Sequence, residues 1–309
     1  MNRFLGITWL FLLAVPLTAQ TGQTAPSPNR LKIVVTGDVQ FRSGWDYWSS
    51  GLKYRKPVIA GIASEKADIV LLNGDLVEKG ASKDDWKLFD REMQPLLEST
   101  RLFVAAIGNH DLHGDKRDAR ENFFSRVKAA NGRDYYAVRR DPVMLIILNS
   151  NAPLAPGSEQ RTWLEHELAK VPQSVKYVIT SMHHPMRTRS RERFLRRGHE
   201  ALPEHKELGN WLESVAQQAH YRIIAFSGHV HNYERYDTNG VMFIVSGGAG
   251  GRPHVLDREP QDAYTGKGPT YHYCVIEADA AELHFRMRRY DKDDKSWKDA
   301  DSFTLRAKQ

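Results

Sequence analysis

The stretch Leu102–Asp111, with the sequence LFVAAIGNHD, carries the main fold signal of this chain. Its first six residues form an apolar run that predicts a strand buried on both faces, and a glycine and three polar residues follow at once. The same transition from an apolar run to a polar block recurs at four other places. These blocks are Gly37-Asp38, Asn73-Gly74-Asp75, Ser181-Met182-His183-His184-Pro185 and Ser227-Gly228-His229-Val230-His231.

Extended and helical patterns alternate along the chain. Strands are predicted at 31–36, 68–72, 102–107, 143–148, 175–180 and 223–226, and helices at 57–66, 84–97, 158–170 and 208–219. Ser158 is expected to cap the third of these helices. After residue 240 the pattern changes, and strands without helices are predicted at 241–245, 271–277 and 282–288. This order indicates an α/β fold with an antiparallel addition, built as one domain over residues 30–309.

The composition fits a folded globular chain. Hydrophobic residues make up 41% of the 309 residues, enough for a sizeable core. Lys and Arg exceed Asp and Glu by 44 to 38, and a net charge of +6 gives only a weak preference for anionic ligands, so no nucleic-acid partner is expected. The single cysteine, Cys274, excludes an intrachain disulfide and is predicted to be a buried core thiol.

The first 29 residues differ from the rest of the chain. Arg3 precedes an apolar stretch at 4–17 that is short for a bilayer span, and a small residue suited to signal peptidase follows it. We therefore predict a signal peptide at 1–19, cleaved before Gln20, and a flexible tether at 20–29. An uncleaved anchor is the alternative. A secreted or periplasmic location is expected, with no transmembrane span after cleavage.

The polar blocks predict a metal site. In open α/β sheets, ligands bind just beyond the carboxyl ends of the strands, and five such ends here carry Asp, Asn or His. Carboxylate and amide oxygens suit manganese, magnesium or iron, whereas imidazoles suit zinc, iron or manganese. His229 and His231 stand two positions apart and can reach two different ions from an extended loop, while Asp75 can bridge both ions. Each residue alone is an ordinary turn or loop residue, but the joint set favours a two-metal site.

The blocks together resemble the calcineurin-like metallophosphoesterase superfamily in order and spacing, from residue 31 to about residue 250. The pair GNHD at 108–111 and GHVH at 228–231 is the most specific part of this resemblance. The stretches GHVHNYER at 228–235 and SGGAG at 246–250 look like purple acid phosphatases in particular. The resemblance implies two mixed β-sheets packed as a sandwich and flanked by helices.

The resemblance also implies a role for each residue of the site. The first metal ion would be held by Asp38, Asp75 and His231, and the second by Asp75, Asn109, His183 and His229. His183 is preferred to its neighbour His184 because the family's ligand stands two residues before the proline. His184 and His113 are left to structural or supporting roles. His110 would be the catalytic histidine, donating to the phosphate or the leaving oxygen without binding metal.

Two positions depart from the family's pattern. Gln40 stands where the family often has a histidine, so the first metal would receive a neutral amide oxygen, unless Gln40 faces away and bonds its own loop. Two divalent or trivalent ions are expected, manganese, iron or zinc, with manganese favoured for the first site. Purple acid phosphatases carry a tyrosine ligand three residues after the bridging aspartate, and here that place is Glu78. The block GDLVEKG at 74–80 looks more like the protein phosphatases, in which the acid at this place orients the catalytic histidine.

The expected activity is hydrolysis of a small phosphate ester by metal-activated water, with a monoester as the preferred substrate. A phosphodiester or a nucleoside diphosphate-X substrate is the first alternative. Gln40 favours it modestly, because a related manganese-dependent diphosphatase group also carries Asp-x-Gln. A metal-bound binding protein without catalysis is the second alternative, and His110 argues against it because binding alone does not need that residue. The oligomeric state is left open.

An arginine-rich stretch, RTRSRERFLRR at 187–197, follows His183 closely. Charge runs of this kind are commonly solvated loops. The alternative is a substrate-binding edge beside the metals, in which Arg187 and Arg189 bind further phosphate or carboxylate groups through bidentate pairs.

Overall fold

The computed structural model describes residues 30–44, 52–191, 199–266 and 270–308. The predicted signal peptide and tether lie outside the described residues, as does most of the arginine-rich stretch, from residue 192 to 197. Among the helices of the described part, none combines the length and the apolar character needed to cross a membrane.

The described residues form twelve strands and five α-helices. In chain order these are β1 (Leu31–Thr36), α1 (Leu52–Ser64), β2 (Ile69–Leu72), α2 (Lys83–Ser99), β3 (Leu102–Ala105), α3 (Lys116–Arg126), β4 (Tyr136–Arg140), β5 (Val143–Ile147), α4 (Glu159–Ala169), β6 (Tyr177–Met182), α5 (Pro203–Gln218), β7 (Arg222–Ser227), β8 (Tyr233–Thr238), β9 (Val241–Ser246), β10 (His272–Ala278), β11 (Glu282–Asp291) and β12 (Ser296–Arg306). The Ser158 hydroxyl accepts the Arg161 N–H, so the predicted cap of α4 is confirmed.

The strands form two mixed sheets of six strands each. The first sheet has the order β12-β11-β10-β1-β2-β3, and the second has the order β4-β5-β6-β7-β9-β8. In the first sheet β1, β2 and β3 run parallel, and β10, β11 and β12 add to them in antiparallel fashion. In the second sheet β5, β6, β7 and β9 run parallel. The predicted α/β sandwich of two mixed sheets is confirmed.

Two apolar clusters hold the layers together. The larger cluster joins both sheets and includes Ile33 and Leu71 from the first sheet and Ile179 from the second. The smaller cluster lies between the other face of the second sheet and the helices α4 and α5, and it includes Val178 and Leu212. Because successive residues of a strand point to opposite faces, the neighbours Val178 and Ile179 belong to different clusters. The sandwich fixes which strand ends face each other across the molecule.

The strands that the sequence pattern did not predict are the sheet edges β4, β8 and β12. Each has exposed or half-exposed residues along much of its length, so none forms the apolar run typical of a central strand. The unpredicted helix α3 buries only Ala119 and Phe123, which is too little to give a periodic apolar pattern.

The boundaries and direction of three other elements also differ from the prediction. The helix α1 begins at Leu52, five residues before Pro57, and α5 begins at Pro203, where a proline at the first turn is well tolerated.

The assignment of residues 241–245 to the antiparallel addition was wrong. The unpredicted strand β8 reverses the chain between β7 and β9, and β9 therefore runs parallel to β7.

Candidate metal centre

The carboxyl ends of β1, β2 and β3 in the first sheet meet those of β6 and β7 in the second. The His229 N–H, after β7, donates to both carboxylate oxygens of Asp38, after β1, at 3.1 and 3.0 Å. The His183 Nε2 atom, after β6, lies 3.2 Å from Asp75 Oδ2, after β2. The predicted polar blocks therefore converge on one edge of the sandwich.

The backbone at this edge is strained. The residues Asp38, Gln40, Asp75 and His229 have φ angles of 60°, 47°, 51° and 65°, a region that non-glycine residues seldom adopt. Such strain persists only where the surrounding structure enforces it, and it concentrates at functional sites. The residues that carry these side chains thus adopt the unusual backbone conformation themselves, and Gly74, which precedes Asp75, has a positive φ of 91° as well.

The glycines serve mainly to let the loops approach each other. A Cβ atom on Gly108 would lie 2.0 Å from Asp75 Oδ1, and one on Gly228 would lie 2.5 Å from Asp38 Oδ2. Both positions therefore need a residue without a side chain next to the candidate ligands.

One group of candidate ligands surrounds His183, which is fully buried. Its Nδ1 atom lies 2.9 Å from the Asn73 carbonyl oxygen, which can only accept, so Nδ1 carries a hydrogen. Its Nε2 atom lies 2.9 Å from Asn109 Oδ1 and 3.2 Å from His229 Nδ1. This orientation by a carbonyl is the usual support for a metal-binding histidine.

A second group surrounds Asp38, which is also fully buried. His231 Nε2 lies 3.4 Å from Asp38 Oδ1, and His231 Nδ1 lies 2.9 Å from the carbonyl oxygen of Arg252. The His231 ring thus repeats the pattern of the His183 ring. In each ring one nitrogen lies next to a backbone carbonyl oxygen and the other lies next to a carboxylate oxygen.

The donor chemistry of this edge fits metal ions. If the two carbonyl-bound rings are neutral, His183 Nε2 and His231 Nε2 present lone pairs to carboxylate and amide oxygens that also present lone pairs. A cation between them removes this repulsion. Donor atoms of Asp38, Asp75 and His183 lie within 4.8 Å of one another, as do those of His183, His184 and His229.

The electrostatics of the group point the same way. Burial opposes a charge on His183, but the nearby Asp75 carboxylate outweighs burial and raises the pKa of His183 to about 9. Burial also opposes ionisation of Asp75, yet His183 outweighs it and lowers the pKa of Asp75 well below its usual range. The carboxylate is therefore ionised and requires a positive partner, either a protonated ring or a metal ion.

His110 and Glu78 lie beside this group. The backbone N–H of His110 donates to Asp75 Oδ1 at 2.9 Å. The His110 ring nitrogen Nδ1 lies 3.0 Å from the backbone oxygen of Glu78 and 3.5 Å from its carboxylate oxygen Oε1. The acceptor that orients the ring most closely is therefore the Glu78 carbonyl, which the sequence alone could not indicate.

Comparison with known proteins agrees with this geometry. The family model of the calcineurin-like phosphoesterases matches residues 31–233, more than half of the chain. The chain belongs to the calcineurin-like phosphoesterase family. It is 26% identical over 293 residues to "Probable purple acid phosphatase 20" of Arabidopsis thaliana, and the match covers 88% of this chain and 64% of that protein.

Solved structures show the same fold. A purple acid phosphatase, PPD1, from yellow lupin (Lupinus luteus) seeds matches with a TM-score of 0.72 at 22% identity, covering 91% of this chain and 54% of that chain. A dimetal phosphatase from Danio rerio matches with a TM-score of 0.57 at 15% identity, covering 90% of this chain and 100% of the other. This calcineurin-like phosphoesterase thus spans just over half of the lupin enzyme.

Gln40 contacts its surroundings through its backbone. Its N–H donates to the Asp75 carbonyl oxygen at 2.8 Å, and its own carbonyl oxygen accepts from Arg55 Nη2 at 2.9 Å. These bonds hold the loop after β1 against the loop after β2. Whether the side-chain amide binds metal stays a prediction.

Arg187 and Arg189, the candidate substrate ligands, are both engaged by the protein itself. Arg187 Nη2 donates to Asn210 Oδ1 at 2.6 Å and to Glu213 Oε1 at 2.9 Å, both on α5. Arg189 pairs with Glu259 at 2.9 Å and with Asp262 at 2.7 Å. This geometry favours a structural role for both arginines, and a role in substrate binding stays a prediction without support from these contacts.

Two histidines that the sequence pattern did not indicate stand next to the candidate ligands. The ring of His254 stacks on His231 at 4.4 Å and on His199 at 4.4 Å, and His199 Nδ1 lies 3.1 Å from His229 Nε2. Neither follows an apolar run directly, so the strand-end pattern could not identify them. The only indication of a role in the sequence was that both residues are histidines. They lie in the loops that follow β6 and β9.

Asp111 is a third missed residue, and its role is structural. It is fully buried, and its carboxylate accepts the N–H groups of Leu76, Val77 and Gly108 at 2.8, 3.2 and 2.9 Å. Burial, with the nearby charge of Asp75, raises the pKa of Asp111 to about 7 although the bonds from the Gly108 and Val77 N–H groups act in the opposite direction. Asp111 thereby joins the loop that carries Asp75 to the loop that carries Asn109.

Asp111→Ala should therefore destabilise the fold strongly. The change leaves three buried N–H groups without their acceptor, at about 1–3 kcal/mol each, so we expect a loss of at least ~3 kcal/mol in the free energy of unfolding. Urea denaturation followed by circular dichroism measures this loss. Asp111→Asn keeps one acceptor oxygen and should lose less. Equal stability of Asp111→Ala and the wild type would contradict this role.

Proposed function

We propose that this protein hydrolyses phosphate monoesters with a two-metal centre at the shared edge of its two sheets. The observation that carries the proposal is the convergence of buried oxygen and nitrogen donors from five strand ends, arranged as two groups that meet near Asp75. We assign the first metal to Asp38, Gln40, Asp75 and His231, and the second to Asp75, Asn109, His183 and His229.

The bound metals would activate a water molecule and neutralise phosphate oxygens. His110 would then supply a proton to the leaving oxygen. Its Nδ1 atom is engaged by the Glu78 carbonyl oxygen at 3.0 Å, so Nε2 is the ring nitrogen left to meet a substrate. The bond from its N–H to Asp75 fixes His110 relative to the centre. A general acid of this kind contributes about 10²–10⁴-fold in rate.

The preference for monoesters is supported by the names of the relatives, which are acid phosphatases. The test is a comparison of 4-nitrophenyl phosphate with bis(4-nitrophenyl) phosphate under the same metal conditions. We expect kcat/KM to be at least about tenfold higher on the monoester, a difference of ~1.4 kcal/mol in transition-state stabilisation. A higher value on the diester would favour a phosphodiesterase instead.

We also propose that the protein is exported, on the basis of the apolar stretch at 4–17 and the small residue Ala19. The protein recovered from the periplasm or the medium should then begin at Gln20. Recovery of a chain that still begins at Met1 would show that the segment is kept as an anchor or is not a signal.

Gln40 and Glu78 together predict which metals the centre prefers. An amide oxygen from Gln40 is a harder and weaker donor than an imidazole, so the first site should bind manganese well and lose metal more easily than the second. Gln40→His should strengthen the first site and shift its preference away from manganese. Because Glu78 stands three residues after Asp75, no tyrosinate-to-iron band arises from that position. Metal titrations of both proteins and a visible spectrum test this, and a strong purple band or equal first-site affinities would contradict it.

A further inference from the structure

A cleft of about 460 Å³ lies between Asn232 and the loop that follows β9. Within the described part of the chain, its walls include Asn232, which follows His231, and Val255, which follows His254. His254 is fixed to His231 by their stacked rings, by its N–H to the His231 carbonyl oxygen at 2.9 Å, and by the His231 N–H to its Nδ1 at 3.2 Å. Asn232 and Val255 are therefore each next in the chain to one residue of the stacked pair His231 and His254, which lies at the candidate centre.

Hydrogen bonds hold the walls of the cleft in place. Asn232 Nδ2 donates to the His254 carbonyl oxygen at 2.6 Å. Arg258 Nη2 donates to Asn232 Oδ1 at 3.2 Å and to the Tyr233 carbonyl oxygen at 2.7 Å. Ligand sites are usually formed before binding, in cavities of about 300–1,000 Å³, and this cleft fits both conditions.

A salt bridge fixes the outer part of the same loop. Arg189 pairs with Glu259 and Asp262, and the Glu259 N–H donates to Asp262 Oδ2 at 2.8 Å. The loop after β6, which carries Arg189, and the loop after β9, which carries the cleft, are thus joined. A wall that is already ordered loses little entropy on binding.

The lining indicates the kind of group that the cleft accepts. Val255, Leu256 and Pro260 offer apolar surface, and the Val255 side chain is exposed, at 57% relative accessibility. The charged lining residues are Asp257, Arg258 and Glu259, two carboxylates against one guanidinium. Because Glu259 is itself paired with Arg189, these groups are balanced in charge and offer no excess positive charge to an additional phosphate or carboxylate group on the ligand. The cleft therefore suits an uncharged, largely apolar group of the size of one or two aromatic rings.

We propose that this cleft is the subsite for the leaving group, and that the preferred substrates are phosphate monoesters of uncharged aromatic alcohols. The inference rests on the proposed function, because the phosphate must lie at the metal centre for its alcohol to reach the cleft. Val255 and Leu256 would contact the aromatic ring, and Arg258 positions the wall without touching the phosphate.

The test compares 2-naphthyl phosphate with phenyl phosphate, whose leaving groups have similar acidity but different size. In the wild type we expect kcat/KM to be about tenfold higher for the naphthyl ester, through a lower KM. Val255→Asp should remove most of this difference, because it places a charge on the apolar wall. Leu202→Asp is the matched control, since Leu202 is also exposed and caps α5 outside the cleft lining. It adds the same charge and should leave the ratio of the kcat/KM values for the two esters unchanged.

Direct binding of 2-naphthol, followed by its fluorescence, tests the cleft without catalysis. We expect binding to the wild type and to Leu202→Asp, with about tenfold weaker binding to Val255→Asp. If both esters are hydrolysed and Val255→Asp does not change the ratio of their kcat/KM values, the subsite is overturned and the proposed function stands. Binding of 2-naphthol that depends on Val255, in a protein that hydrolyses neither ester, would support the cleft and overturn the proposed function. Equal naphthol binding by all three proteins, or none, would overturn the subsite.

Discussion

Asp75→Asn should lower kcat by about 10³-fold or more and reduce the metal content of the purified protein. Asp75 Oδ2 lies 3.2 Å from His183 Nε2, and its donor atoms lie within 4.8 Å of those of Asp38 and His183. A carboxylate in this place can bridge two ions, whereas an amide offers one neutral oxygen. Loss of a metal that contributes ~4 kcal/mol to the transition state corresponds to about three powers of ten in rate.

The fold should survive this change, so the loss can be assigned to the centre. Asparagine keeps an oxygen that can accept the His110 N–H, the bond that Asp75 Oδ1 now makes at 2.9 Å. Asp84→Asn, at an exposed position on α2, is the matched control and should retain full metal content and rate. The measurements are metal analysis by mass spectrometry and steady-state rates on an aryl phosphate. Full activity after exhaustive removal of metal would refute the two-metal proposal.

His110→Ala should lower kcat by about 10²–10⁴-fold and leave both metals in place. The ring lies next to the centre, but its Nδ1 atom is engaged by Glu78, and the bond to Asp75 comes from the backbone N–H, which alanine keeps. The centre therefore loses a proton donor without losing a ligand. Rates and metal content measured on the same preparation separate the two roles, and loss of metal would show that His110 is a ligand.

Two companion variants sharpen the assignment of His110. Glu78→Gln should lower kcat by less than about tenfold. The backbone oxygen of Glu78 remains as the acceptor at 3.0 Å from His110 Nδ1, while the carboxylate oxygen lies farther away, at 3.5 Å. His220→Ala is the control, since His220 lies between α5 and β7 and contacts the Pro172 carbonyl oxygen. It should leave the rate unchanged, and a large loss in His220→Ala would mean that histidine replacement acts on stability instead of chemistry.

The central strands were predictable because burial on both faces is visible in the residues themselves. The strands β2, β5, β6 and β9 are buried at every residue, and each appears in the sequence as a dense apolar run. The edge strands β4, β8 and β12 were not predictable in this way, since an edge strand faces water along much of its length. The parallel direction of β9 depended on β8 and could not be derived without it.

The sequence by itself determined the α/β class and the set of polar residues at five strand ends, because both depend on the order of residue types along short segments. Only the tertiary structure decided which ends face each other, and that Asp111, His199 and His254 support them. It likewise decided that Arg189 meets Asp262, a residue 73 positions later in the chain. Such contacts join loops that follow different strands of a sheet, and no local pattern of residues encodes the partner of a side chain in another loop.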